Sequence, residues 1–97
     1  MDNINWYEKS QEPGLTEGYI RKHQDQVKWD QISYHQVLSE DFIREFQDKV
    51  RWFWISRSQV LSRDFIIEFQ DKLDFDNILV QQGIDLETRE YLRLLKG

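Results

Sequence analysis

The chain has no cysteine, a single proline, four glycines and two histidines. Without cysteine there is no disulfide and no thiolate metal site, and a reducing compartment suits the sequence. With Gly14 and Gly18 standing alone, there is no glycine-rich loop to cradle phosphates. The two histidines, His23 and His35, lack metal-binding spacing, and no metal or cofactor is expected. No apolar run approaches the length that spans a bilayer. The opening MDNINWYEKS has neither the basic start nor the apolar centre of a secretory leader, so a cytoplasmic protein without a membrane partner is expected. The formal net charge of −5 favours solubility and argues against a general nucleic-acid binder. Its 97 residues suffice for one domain and are too few for two.

What is present is aromatic and repeated. Aromatic residues make up 14% of the chain, enough large apolar surface to oppose disorder. The stretch VKWDQISYHQVLSEDFIREFQDK, beginning at Val27, returns as VRWFWISRSQVLSRDFIIEFQDK, beginning at Val50. Sixteen of these 23 positions are identical. The phase extends both ways: Ile4, Val27, Val50 and Leu73 share it. So do Trp6, Trp29, Trp52 and Phe75, and Leu15, Leu38, Leu61 and Ile84. Four units follow, 4–26, 27–49, 50–72 and 73–96, within a single domain 1–97. A unit this short cannot bury its own apolar face, so it stacks on its neighbours. The outer units are degraded, as an array needs where its ends face water. The fourth is expected to lose register after Ile84, where Thr88 and Arg89 replace Phe65 and Ile66.

Each unit reads as two short helices. The second has an N-cap hydroxyl in Ser39 or Ser62, with acids in its first turn. Leu38 and Ile43 have the spacing of a hydrophobic staple about that cap. Leu15-Thr16-Glu17 with Ile20 repeats the pattern. Lys49 and Lys72 are expected to close this helix. The first helix starts near the Trp, although Lys28 and Arg51 are poor caps. Helices this short are marginal alone, so packing between units must hold them. The expected core is Trp29, Ile32, Leu38, Phe42, Ile43 and Phe46, with Trp52, Ile55, Leu61, Phe65, Ile66 and Phe69. The fold class is therefore all-α: tandem two-helix repeats stacked as a short solenoid or compact bundle.

Catalysis finds little support. His23 stands where Phe46 and Phe69 stand, which suits a partly buried structural histidine. His35 matches Ser58 at an exposed position. Ser39 and Ser62 recur as caps with no recurring base beside them. Asp41, Glu45 and Asp48 recur as Asp64, Glu68 and Asp71, a pattern that fits a solvated face with local ion pairs. No enzyme and no catalytic residue is expected.

Repetition marks the scaffold, so departures from it guide the search for function. The third unit alone has more bases than acids, four against three. There Phe53 and Trp54 replace Asp30 and Gln31, Arg57 replaces Tyr34, and Ile67 replaces Arg44. Arg51, Phe53, Trp54, Arg57, Arg63 and Ile67 form the candidate partner-binding patch, because Trp and Arg dominate binding hot spots. Tyr7 and Tyr34 are secondary candidates. The plain alternative is packing of Phe53 or Trp54 against a neighbouring helix.

The run LSEDFIREFQDKVRWFWISRSQVLSRDFIIEFQDK resembles a tandem repeat of the form Trp-x-x-Ile-Ser-x-x-Gln-x-Leu-Ser-x-x-Phe-Ile-x-x-Phe, found in proteins of bacteriophages and large DNA viruses. The resemblance covers essentially the whole chain. It implies a viral origin and a helical repeat, and carries no activity with it. Arg51 and Phe53-Trp54 depart from the usual pattern. Small acidic phage proteins often block host complexes, CRISPR effectors among them, so by analogy the leading expectation is a non-enzymatic protein that binds and inhibits a host protein or complex. A homo-oligomeric structural protein is the runner-up. Nucleic-acid contact through Arg51, Arg57 and Trp54 ranks last.

Overall fold

The computed structural model describes residues 3–80 and 85–96. Eight helices follow one another: α1 (Trp6–Ser10), α2 (Glu17–Lys22), α3 (Trp29–His35), α4 (Glu40–Glu45), α5 (Trp52–Ser58), α6 (Arg63–Glu68), α7 (Phe75–Val80) and α8 (Leu86–Lys96). The described residues contain no strand. Each unit is one pair: the odd helix opens on the repeated aromatic, the even one on a cap. Thr16, Ser39 and Ser62 accept a hydrogen bond from the amide three residues on, at 3.1–3.2 Å. Lys28 and Arg51 supply no side-chain cap, whereas Asn5 and Asp74 do so in the outer units.

The array is drawn out, 53 × 21 × 18 Å. The odd helices pack in sequence, α1 on α3, α3 on α5 and α5 on α7. Every long-range hydrogen bond among the described residues joins consecutive units. Of the two architectures expected, these features are those of a short solenoid, in which each unit meets only its neighbours.

One apolar core runs through all four units. Ile20, Ile32, Phe42, Ile43, Ile55, Phe65, Ile66, Ile78 and Leu92 are all but sealed from water. Trp29 and Trp52, expected inside, are only half-buried and lie against the core. The reason is the indole N–H, which a fully apolar site would strand. It donates instead to the carbonyls of Gln24 and Gln47 at 3.0 Å, in the turns that enter each unit. The ring still stacks on Phe46 or Phe69, with centroids 5.2 and 5.1 Å apart. His23, in the phase of those phenylalanines, is half-buried between Trp6 and Tyr19.

Two further expectations change. Lys49 and Lys72 do not close the even helices, which end at Glu45 and Glu68 with Phe46 and Phe69 as C-caps. Lys49 reaches back to Asp25 of the preceding unit instead, at 3.5 Å. The fourth unit keeps its register. Asp85 takes the place of Ser62 and accepts the Thr88 amide at 2.7 Å, while Leu92 is buried in the phase of Phe69. Ile84, assigned to the same phase as Leu61, lies outside the described residues.

Candidate functional site

The polar residues that bind unit to unit form repeating rows, and these rows decide what is left for function. Ser10, Ser33 and Ser56 accept the backbone amides of Lys28, Arg51 and Asp74, at 3.0, 3.0 and 2.8 Å. Gln36 and Gln59 are buried and reach backward. Gln59 Oε1 accepts the Leu38 amide, and its Nε2 donates to the Ser33 and Gln36 carbonyls. Glu17 and Glu40 accept both the amide and the hydroxyl of Ser39 and Ser62. Arg21 pairs with Glu45 and Arg44 with Glu68, each at 2.8 Å. These hydrogen bonds raise the pKa of both arginines and lower that of both glutamates.

Two of the sequence-selected residues belong to these rows. Arg63 stands in the row of Glu17 and Glu40. The residue it meets is Asp85 where the earlier units have serine, so the polarity of the link is reversed. Arg63 lies 3.8 Å from Asp85 and 3.1 Å from Glu87, and its Nε donates to Thr88. The hydrogen bond to Glu87 is the main cause of its raised pKa. Ile67 stands in the row of Arg21 and Arg44, and the position that would answer it is Tyr91 in place of a glutamate. Both members of that ion pair have been exchanged for apolar residues, and Ile67 is half-buried.

The remaining candidates gather on the odd-helix row. Trp54 of α5 meets Tyr34 of α3 edge-on, with centroids 5.0 Å apart, and meets Phe53 edge-on at 4.9 Å. Tyr34 packs in turn against His35 at 4.7 Å. Phe53 is 50% exposed and Tyr34 45%, while Trp54 is half-buried between them. Tyr34, selected from sequence as a lesser candidate, is thus a direct neighbour of the principal one. Arg57 turns to the next unit, its Nη1 3.4 Å from Asn77 Oδ1. Tyr34–Trp54 and Arg57–Asn77 are therefore equivalent links, one aromatic and one polar. Tyr7 is exposed but belongs to the first unit, two units from Phe53.

Sequence reading passed over Val37 and Val60. They follow α3 and α5 directly, two residues beyond each helix, and are 93% and 73% exposed. The signal lay beside them, since the adjacent Leu38 and Leu61 carry the staple and a chain leaving a helix cannot bury both neighbours.

Arg51, the residue before α5, is exposed and lines a cleft of about 440 Å³ together with Val27, Lys28, Trp29, Asp30, Asp48 and Lys49. Both signs of charge line it. Among the described residues no group of His, Asp or Glu is arranged to hold a metal ion.

The molecule is thus an all-α tandem-repeat array with an aromatic edge on its odd helices. The chain matches no known protein-family model, no curated protein and no solved structure.

Proposed function

We propose that the chain is a non-enzymatic protein-interaction module that docks through the Tyr34–Trp54–Phe53 edge, flanked by Arg51 and Arg57. One observation carries this reading. The inner units are near copies, yet on this exposed row Trp54 stands where Gln31 and Asn77 stand in the adjacent units, and Phe53 where Asp30 and Asp76 stand. Such aromatic pairs contribute roughly 0.5–1.5 kcal/mol beyond burial. Their mutual contact also holds the rings in place before a partner arrives, which reduces the ordering cost of binding. Arg63 stands apart from this edge, engaged with Asp85, Glu87 and Thr88 of the fourth unit.

The partner class proposed is a host protein or complex, with inhibition as the outcome. It rests on the resemblance to viral tandem-repeat proteins and on the analogy with small acidic phage inhibitors of host defence. Affinity capture from bacterial lysate tests it, with wild-type chain, Trp54→Ala and Phe53→Ala compared. A captured protein lost with both variants supports the reading. Capture that is unchanged in both variants, or absent with the wild type, overturns it. Nucleic-acid contact is the competing outcome, recognised by binding that falls steeply with salt.

A further inference from the structure

Two departures from the repeat fall at one junction. Between the second and third units, Lys28, Lys49 and Arg51 converge on a single cleft. The same places read Asn5, Gln26 and Lys28 at the preceding junction, and Arg51, Lys72 and Asp74 at the following one. Of these junctions the middle one alone is cationic at all three places. It is also the junction that Tyr34 and Trp54 bridge, ring against ring.

The cations around the rings differ from the others in having no carboxylate. Arg21, Arg44, Arg63 and Arg93 each meet one. Among the described residues Lys28 and Arg51 form no ion pair, and Arg57 reaches only the neutral side chain of Asn77, 3.4 Å away. Asp30 and Asp48 line the same cleft, yet among the described residues neither pairs with a cation across it. Asp30 accepts the Gln31 amide instead, at 2.9 Å. The cleft and the rings are close together. Asp30 and Tyr34 lie one turn apart on α3, as do Arg51 and Trp54 at the start of α5, and α3 packs on α5. The cleft therefore opens one helical turn, about 5.4 Å, before the ring pair. Arg57 lies one turn beyond Phe53.

We propose, building on the docking edge described above, that the partner presents an extended acidic peptide segment. An apolar side chain of the segment rests on Phe53 and the Tyr34–Trp54 pair. Carboxylates on either side of it meet Arg51 with Lys28, and Arg57, the unpaired cations that flank the rings. Alternate residues of an extended chain point the same way about 6.6 Å apart. That is close to one helical turn, so the acids fall two positions before and two after the apolar residue. The acids of the cleft select a peptide over a nucleic acid. Asp30 and Asp48 repel an unbroken line of phosphates, whereas a peptide carries separate carboxylates and offers backbone N–H donors between them.

Fluorescence anisotropy of a labelled Ser-Glu-Ser-Phe-Ser-Glu-Ser peptide, titrated with the full chain, tests this. The expected result is saturable binding with a dissociation constant below about 1 mM. The same peptide with Gln for both Glu, or with Ala for Phe, should bind about tenfold more weakly. Arg51→Glu and Arg57→Glu should each weaken binding of the Glu peptide by about tenfold or more. Lys22→Glu, an equal change of charge on α2, should leave it unchanged. All three side chains are exposed, so unchanged circular dichroism will show the fold intact. No binding at about 1 mM chain, or equal binding of the Gln peptide, overturns the proposal. So does a loss with Lys22→Glu as large as that with Arg51→Glu, or tighter binding of an oligothymidine than of the peptide. Capture from lysate judges the docking edge separately. A partner lost with Trp54→Ala but retained by Arg51→Glu and Arg57→Glu leaves that edge standing and refutes the acidic segment.

Discussion

Replacing Gln59 by methionine keeps the length of the side chain and removes its amide. That amide makes three buried hydrogen bonds across the junction of the second and third units: from the Leu38 amide at 3.1 Å, and to the carbonyls of Ser33 at 3.1 Å and Gln36 at 2.6 Å. The Ser33 carbonyl keeps the hydroxyl of Ser58, at 3.0 Å. The Leu38 amide and the Gln36 carbonyl lose the partner shown for them. Stranding a buried polar backbone group costs roughly 1–3 kcal/mol, so Gln59→Met should destabilise the protein by about 2–6 kcal/mol. The total stability of a small domain is about 5–15 kcal/mol. Denaturant unfolding followed by far-ultraviolet circular dichroism will measure the loss. Gln36→Met is the internal comparison and should cost less, because only its bond to the Ser10 carbonyl is buried, while those with the Leu15 amide and the Glu12 carbonyl are partly buried and water can replace them. A loss below about 1 kcal/mol for Gln59→Met, the net worth of a single ordinary hydrogen bond, would refute the idea that buried glutamines hold adjacent units together.

Phe65→Ala should cost roughly 3–5 kcal/mol, since the ring is fully buried in the core against Trp52 and Phe69; the same unfolding measurement checks it. Acid should destabilise the array in a defined direction. Glu45 and Glu68 have pKa values lowered chiefly by their hydrogen bonds to Arg21 and Arg44. A folded pKa below the unfolded one means that the stabilisation is present above the unfolded value, about 4.3, and is lost as pH falls through the folded value. Glu45→Gln with Glu68→Gln should therefore flatten the acid limb of stability against pH, and an unchanged limb would show that these pairs contribute nothing.

The repeat, the helical class and most of the core were legible in the chain. Apolar residues recurring at Ile32, Phe42 and Ile43 fall on one side of short helices, and Ser39 and Ser62 cap them by chemistry that depends only on residues three positions apart. The candidate surface was legible in part. Phe53 and Trp54 stood out because Asp30 and Gln31 differ, but the contact of Trp54 with Tyr34 crosses a helix pair and has no local signature. Arg63 and Ile67 departed from the pattern just as visibly. The Arg63 departure answers Asp85 and Glu87 of the next unit, which a reading confined to single positions treats as unrelated noise.

Periodicity and capping act within a few residues, so residue order was enough to require that four copies of a two-helix unit share one core. Tertiary structure alone decided which polar side chains join the units and where the tryptophan N–H groups find acceptors. Those features depend on the offset between successive units, a distance in space that residue spacing along the chain does not encode.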